Sequence, residues 1–178
     1  MIKKVASLAL ITAIVFQFAV LCAQYLNAAM PLWRGTEVRI ATVPYDPRSL
    51  FRGNYARLRY DISRIEMPEA LKDTPIRTNE PVFVQLKKGE NGLYEYDNVV
   101  LARPDKGHYL RGRVQNHSRS NGSLSVKYGI EAFFAPKEKA LALEKDLTNG
   151  GVAVLMVMDN GKAALKDVVP NKQTDDAQ

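Results

Sequence analysis

The sequence predicts a mainly β fold, an antiparallel barrel or sandwich with one short helix, preceded by a single N-terminal transmembrane helix. Two observations carry this. An uncharged run, Val5 to Ala23, opens the chain. Beyond it, short segments of alternating polarity are separated by turn residues about every ten positions, as in all-β domains.

The opening run would span roughly 28 Å as a helix, close to the hydrocarbon thickness of a bilayer. Ser7, Thr12 and Gln17 are its only polar residues. Lys3 and Lys4 precede it and Arg34 follows only after a gap. The positive-inside rule then places the N-terminus in the cytoplasm and the rest of the chain outside. Leu21-Cys22-Ala23 and Asn27-Ala28-Ala29 are poor cleavage sites, and Leu21 before Cys22 does not suit a lipoprotein cysteine, so an uncleaved anchor is expected. The organisation follows as an anchor (1–23), a juxtamembrane stalk (24–36), a β-rich domain (37–169) and a disordered tail (170–178). Tyr25 and Trp33 suit the membrane interface.

Val38, Ile40 and Thr42 alternate with Glu37, Arg39 and Ala41, which predicts a first strand ended by Pro44, Asp46 and Pro47. Asn54 to Ile62 alternates again, with Ala56, Leu58, Tyr60 and Ile62 on the core face and Tyr55, Arg57, Arg59 and Asp61 opposite. Residues 64–80 read as a long loop with room for a helical turn. Pro81 to Leu86 and Leu93 to Tyr96 form a hairpin around Lys87-Lys88-Gly89-Glu90-Asn91-Gly92. Asn98 to Ala102 and Tyr109 to Val114 read as the next pair, followed by a basic loop to Gly122. Leu124, Val126, Tyr128 and Ile130 alternate strictly with Ser123, Ser125, Lys127 and Gly129. Pro136 suits the start of a helix reaching about Leu147, and Asn149-Gly150-Gly151 its end. Val152 to Met158 is apolar on both faces and reads as a buried central strand. Asn160-Gly161 predicts a type I′ hairpin returning through Ala163 to Val169.

Of 178 residues, 46% are hydrophobic and 25% charged, the balance of an ordinary globular domain. The formal charge is +6. Lys3 and Lys4 account for two of these charges; the excess of about +4 spread over the domain reads first as a solvated surface with a mild basic bias, and second as a surface that could meet anionic lipid headgroups or an acidic partner. Cys22 is the only cysteine, so the domain beyond the anchor has no disulfide, thiolate metal site or cysteine nucleophile.

The stretch Asp46-Pro47-Arg48-Ser49-Leu50-Phe51-Arg52-Gly53-Asn54-Tyr55-Ala56-Arg57-Leu58-Arg59-Tyr60 resembles the GDYXXLXY family of bacterial envelope proteins. Gly53, Tyr55, Leu58 and Tyr60 match the name-giving pattern, and Asn54 stands where the family has aspartate. Tyr128-Gly129-Ile130-Glu131, with Phe134 and Pro136, resembles a second family segment. The resemblance implies a single-pass inner-membrane protein, associated with a multi-pass membrane protein, and carries no catalytic residues. Asn54 removes a carboxylate that acidic chemistry there would need. A bulge near Gly53 would turn Tyr55 inward, whereas an outward Tyr55 beside Arg57 and Arg59 would make a binding patch. The bland alternative is that these residues fix a tight turn and its strand. The candidate patch comprises Asp46, Arg48, Arg52, Gly53, Asn54, Tyr55, Arg57, Leu58 and Tyr60, with Tyr128, Gly129 and Glu131 beside it.

Enzymatic signals are weak. Ser49 with Lys87 or Lys88 could form a serine–lysine dyad, but the serine-methionine-x-proline context of signal peptidases is absent and nothing selects one lysine. His108 and His117 are too few and too far apart for a zinc site. Asp46, Asp61, Glu66 and Glu131 could pair as acid and base, though spacing brings no two together. Arg111, Arg113 and Arg119 cluster without a nucleic-acid recognition motif. The expectation is therefore a non-enzymatic periplasmic domain, without metal or cofactor, that contacts the bilayer through its helix and binds a multi-pass membrane protein and no nucleic acid. The alternative is a hydrolase or peptidase-like enzyme with a Ser/Lys site. A pocket holding Ser49 within reach of a lysine would favour the enzyme.

Overall fold

The computed structural model describes residues 2–43, 55–72, 74–118, 122–134 and 150–170. The turn expected at Pro44 to Pro47, the helix expected from Pro136 to Leu147 and the tail from residue 171 lie outside the described residues. Helix α1 (Ile2–Arg34) leads into strand β1 (Thr36–Thr42). There follow β2 (Tyr55–Arg57), a 3-10 turn (Asp61–Ser63), β3 (Arg64–Glu66) and the short helix α2 (Glu69–Lys72). The remaining strands are β4 (Pro81–Lys88), β5 (Tyr94–Val100), β6 (His108–Ser118), β7 (Ser123–Lys127), β8 (Ala132–Phe134), β9 (Gly151–Val157) and β10 (Ala163–Pro170).

All pairings are antiparallel. Three sheets run in the orders β1-β9-β10, β2-β8 and β3-β7-β6-β4-β5, and together they make a nearly closed barrel. On one side β1 lies against β5. On the other, β7 ends opposite Arg113, leaving the edge of β6 open, and the tip of the β9–β10 hairpin takes over: the Arg111 N–H donates to the Gly161 carbonyl at 2.8 Å. A single core fills the interior, built from the alternate residues Val38 and Ile40, Val82 and Val84, Leu110 and Val114, Leu124 and Val126, and Ala153 and Leu155. This is the alternation seen in the sequence, with each strand placing every second side chain inward.

Strand β9 is central, with β1 and β10 on its two edges and burial on both faces, as its unbroken apolar run predicts. Elsewhere local turn chemistry redraws the expected elements. The strand expected over Asn54 to Ile62 stops at Arg57. Tyr60 keeps one bridge to Thr42, and then caps the 3-10 turn through reciprocal bonds with Ser63. The expected loop 64–80 contains strand β3, and its helical turn is α2. Asn98 to Ala102 is no separate strand, because β5 passes through an irregularity opposite Gln85–Leu86 and stays paired with β4. Tyr109 to Val114 therefore pairs with the other edge of β4, and β6 runs on to Ser118 where a basic loop was expected. Polar residues do not preclude a strand whose outer face meets solvent.

The Asn160-Gly161 hairpin is not type I′. Gly161 has φ +76°, but among the described non-glycine residues only Asn79 has positive φ, so Asn160 does not. The Gly161 N–H donates to the Met158 carbonyl at 2.8 Å and Met158 N–H to Lys162 at 2.9 Å, the pattern of a type I turn closed by a glycine bulge. A Cβ on Gly161 would lie 2.7 Å from the Tyr109 ring, so the residue answers both to its backbone angle and to the barrel seam.

Candidate functional site: the motif cradle and the seam beside the helix

The two motif segments come together. Strand β2 pairs with β8 through Tyr55↔Phe134, Ala56↔Phe133 and Arg57↔Ala132, and the Leu58 N–H donates to the Glu131 carbonyl at 2.7 Å. Tyr60 is 1% exposed and its hydroxyl donates to the Ile130 carbonyl. Its bridge to Thr42 ties the same point to the end of β1. Leu58 is buried beside it, so both residues occupy the core face the alternation assigns them.

Tyr128 to Glu131 is a compact turn. Gly129 sits at φ +82°, which brings successive N–H groups to one side. The Glu131 carboxylate accepts from the Tyr128 N–H at 2.6 Å and from the Gly129 N–H at 3.0 Å. The Tyr128 hydroxyl donates to the Ile62 carbonyl at 2.7 Å. Backbone polar groups that the short strands leave unpaired are thus satisfied by side chains of the motif itself. Of the remaining patch residues, Tyr55 and Arg57 are described as strand backbone, while Asp46, Arg48, Arg52, Gly53 and Asn54 lie outside the described residues, as does Ser49.

Burial pushes the phenols of Tyr60 and Tyr128 well above the usual range, and the negative charge of Glu131 adds to it. The fold therefore favours the protonated phenols. Their contribution is whole below the unfolded value near pH 10 and is lost as pH rises above it, by about 1.4 kcal/mol per unit for each phenol. Urea midpoints of the full chain should stay level from pH 7 to 9 and fall beyond pH 10. Tyr60→Phe should fall less steeply, and an equal slope would exclude this assignment.

The other candidate groups are dispersed. His108 stacks edge-on against Tyr94 with centroids 5.1 Å apart. Lys87 and Lys88 are exposed at the end of β4, opposite Glu95 and Tyr94. Asp61 and Glu66 are exposed, the one in the 3-10 turn and the other in β3. Among the described residues no three His, Cys, Asp or Glu are grouped to hold a metal ion.

Sequence reasoning missed the junction between helix and barrel. The stalk expected at 24–36 is helical to Arg34, and its end packs on β9 and β10. Pro31 is fully buried, and its carbonyl accepts from Gly35 at 2.8 Å. Lys162, just after the hairpin turn, reaches back to the Asn27 carbonyl and to its side-chain oxygen at 2.9 Å. No local signal links residues 135 positions apart. Two cavities meet here. One of about 430 Å³ lies between Gln24, Asn27 and Ala28 of α1 and the first residues of β10. The other, of about 760 Å³, follows the seam between β6 and the hairpin, and both are lined by Gly129, Lys162 and Ala163.

Helix α1 is long and apolar enough to cross a membrane. Apart from Val43 and Val169, every exposed large apolar side chain among the described residues lies on it, from Val5 to Trp33. No curated protein and no solved structure matches the chain. The family model described as GDYXXLXY protein matches residues 17–168, which takes in the last part of the apolar run and nearly the whole barrel.

Proposed function

Since the chain belongs to the GDYXXLXY family, we propose that it is a non-enzymatic domain held at the bacterial inner membrane to bind a multi-pass membrane protein. In this reading α1 is an uncleaved single-pass anchor with its N-terminus in the cytoplasm, and the barrel stands in the periplasm. The observation that carries the reading is the junction. The apolar run continues without a break into a helix end that is buried at Pro31 and tied to Lys162. A flexible leash would let the barrel turn freely. A helix packed on β9 and β10 holds one face of the barrel toward the membrane, where an integral partner would meet it.

Anchoring is tested by alkaline extraction of membranes. The full-length chain should stay with the membrane, and release of a shorter soluble form would overturn the anchor. Partner binding is tested by crosslinking in membranes, comparing the natural chain with Tyr55→Ala. Loss of a discrete crosslinked species, with the far-UV circular dichroism unchanged, is the expected result. An unchanged crosslinking pattern would remove Tyr55 from the contact.

A further inference from the structure

The seam between β6 and the β9–β10 hairpin carries more positive charge than the fold explains. Arg113 and Lys127 are direct cross-strand partners. Like charges in that relation destabilise a sheet. Arg111 lies two residues along β6, on the same face as Arg113, and Lys162 follows the glycine whose carbonyl takes the Arg111 N–H. All four line the 760 Å³ cavity, and no aspartate or glutamate lines either cavity. Among the described residues none of the four is in an ion pair. Arg113 is steadied by donating to the Asn79 carbonyl at 2.9 Å, and Lys162 by Asn27. The nearby Glu131 carboxylate accepts from the Tyr128 and Gly129 amides and forms no ion pair with any of the four among the described residues.

The position of this charge identifies its counterion. The adjoining cavity has α1 as a wall, at Gln24, Asn27 and Ala28. From Lys4, the last charged residue before Arg34, twenty residues of helix rise about 30 Å, which brings a bilayer entered at Lys4 to its far hydrocarbon edge near Gln24. From Gln24 to Ala28 a helix rises about 6 Å, comparable to the headgroup layer on one side of a bilayer. The geometry points to a binding site for the phosphate headgroup of an anionic phospholipid, gripped by Arg111, Arg113, Lys127 and Lys162 at the surface of the membrane that holds α1. This rests on the anchoring reading above, though not on the protein partner.

The test is native mass spectrometry of the full chain in a neutral detergent, titrated with phosphatidylglycerol, phosphatidylcholine or glycerol 1-phosphate. Phosphatidylglycerol should be retained in preference to phosphatidylcholine. The variant Arg111→Gln/Arg113→Gln/Lys127→Gln should lose that retention on the order of 100-fold, each charge contributing about fivefold. If the triple variant fails to fold, Lys127→Gln alone, which relieves the like-charge pair, should lose about fivefold. Equal retention of both lipids, or equal retention by the variants, would overturn the site. Glycerol 1-phosphate binding as tightly as the lipid, with the same dependence on the arginines, would overturn the lipid source and assign the seam to a soluble phosphate. Alkaline extraction reports separately on the anchor, so its failure is distinguishable from failure of the site.

Discussion

Tyr60→Ala should destabilise the barrel by about 3–5 kcal/mol, the range for removing a buried aromatic side chain. That is a large part of the 5–15 kcal/mol that holds a typical domain together. Tyr60 is fully enclosed and stands where three segments meet. Its backbone bridges Thr42 at the end of β1, its own segment opens the 3-10 turn, and its hydroxyl reaches Ile130 in the second motif segment. Alanine would leave a cavity and an unpaired Ile130 carbonyl together. Tyr60→Phe separates the two, keeping the ring and costing about 1–2 kcal/mol for the lost bond. Urea unfolding of the full chain in detergent, followed by far-UV circular dichroism, measures both. A Tyr60→Ala midpoint within error of the natural chain would show that this tyrosine is not the tie described.

Gly35→Ala is expected to pry the helix from the barrel, at about 1–3 kcal/mol for forced overpacking. A Cβ at this position would lie 2.5 Å from the Pro31 oxygen and 2.8 Å from both the Met156 carbonyl carbon and the Val157 nitrogen. All three are backbone atoms, so no side chain can swing aside. The constraint is space and not backbone angle, since Gly35 is not among the glycines of positive φ. The cheapest relief moves α1 away from β9, loosening the Thr36↔Val157 pair and the buried Pro31 together. Hydrogen exchange should quicken at Thr36 and Val157 while β4 and β6 keep their protection. Limited proteolysis should cut between Arg34 and Glu37 earlier than in the natural chain. Unchanged exchange at the start of β1 would mean that the junction yields at no cost.

These two residues mark where the sequence was legible. Tyr60 could be assigned to the core from alternation alone, because Ala56, Leu58, Tyr60 and Ile62 recur at the period of a strand. The partner of its hydroxyl could not, since Ile130 is seventy positions away and the bond depends on how two sheets meet. Gly35 gave no signal at all. Its need for a missing Cβ arises from Met156 and Val157, which approach it only once β1 has paired with β9. The basic residues divide in the same way. Arg111 and Arg113 were visible as a cluster on the expected strand Tyr109 to Val114, but nothing local joined them to Lys127 and Lys162.

The sequence by itself determined the apolar helix, the cysteine-free β domain behind it, the central strand β9, and the family to which the motif belongs. Each is a local or periodic property, written in charge, polarity and spacing along a single segment. Only the tertiary structure decided that the stalk is a helix packed on the barrel, that the motif segments lock one another through Tyr60 and Glu131, and that four cations gather along one seam. Those features depend on sheet register and barrel closure. Both are set by the packing of the whole core, and no short stretch of chain encodes them.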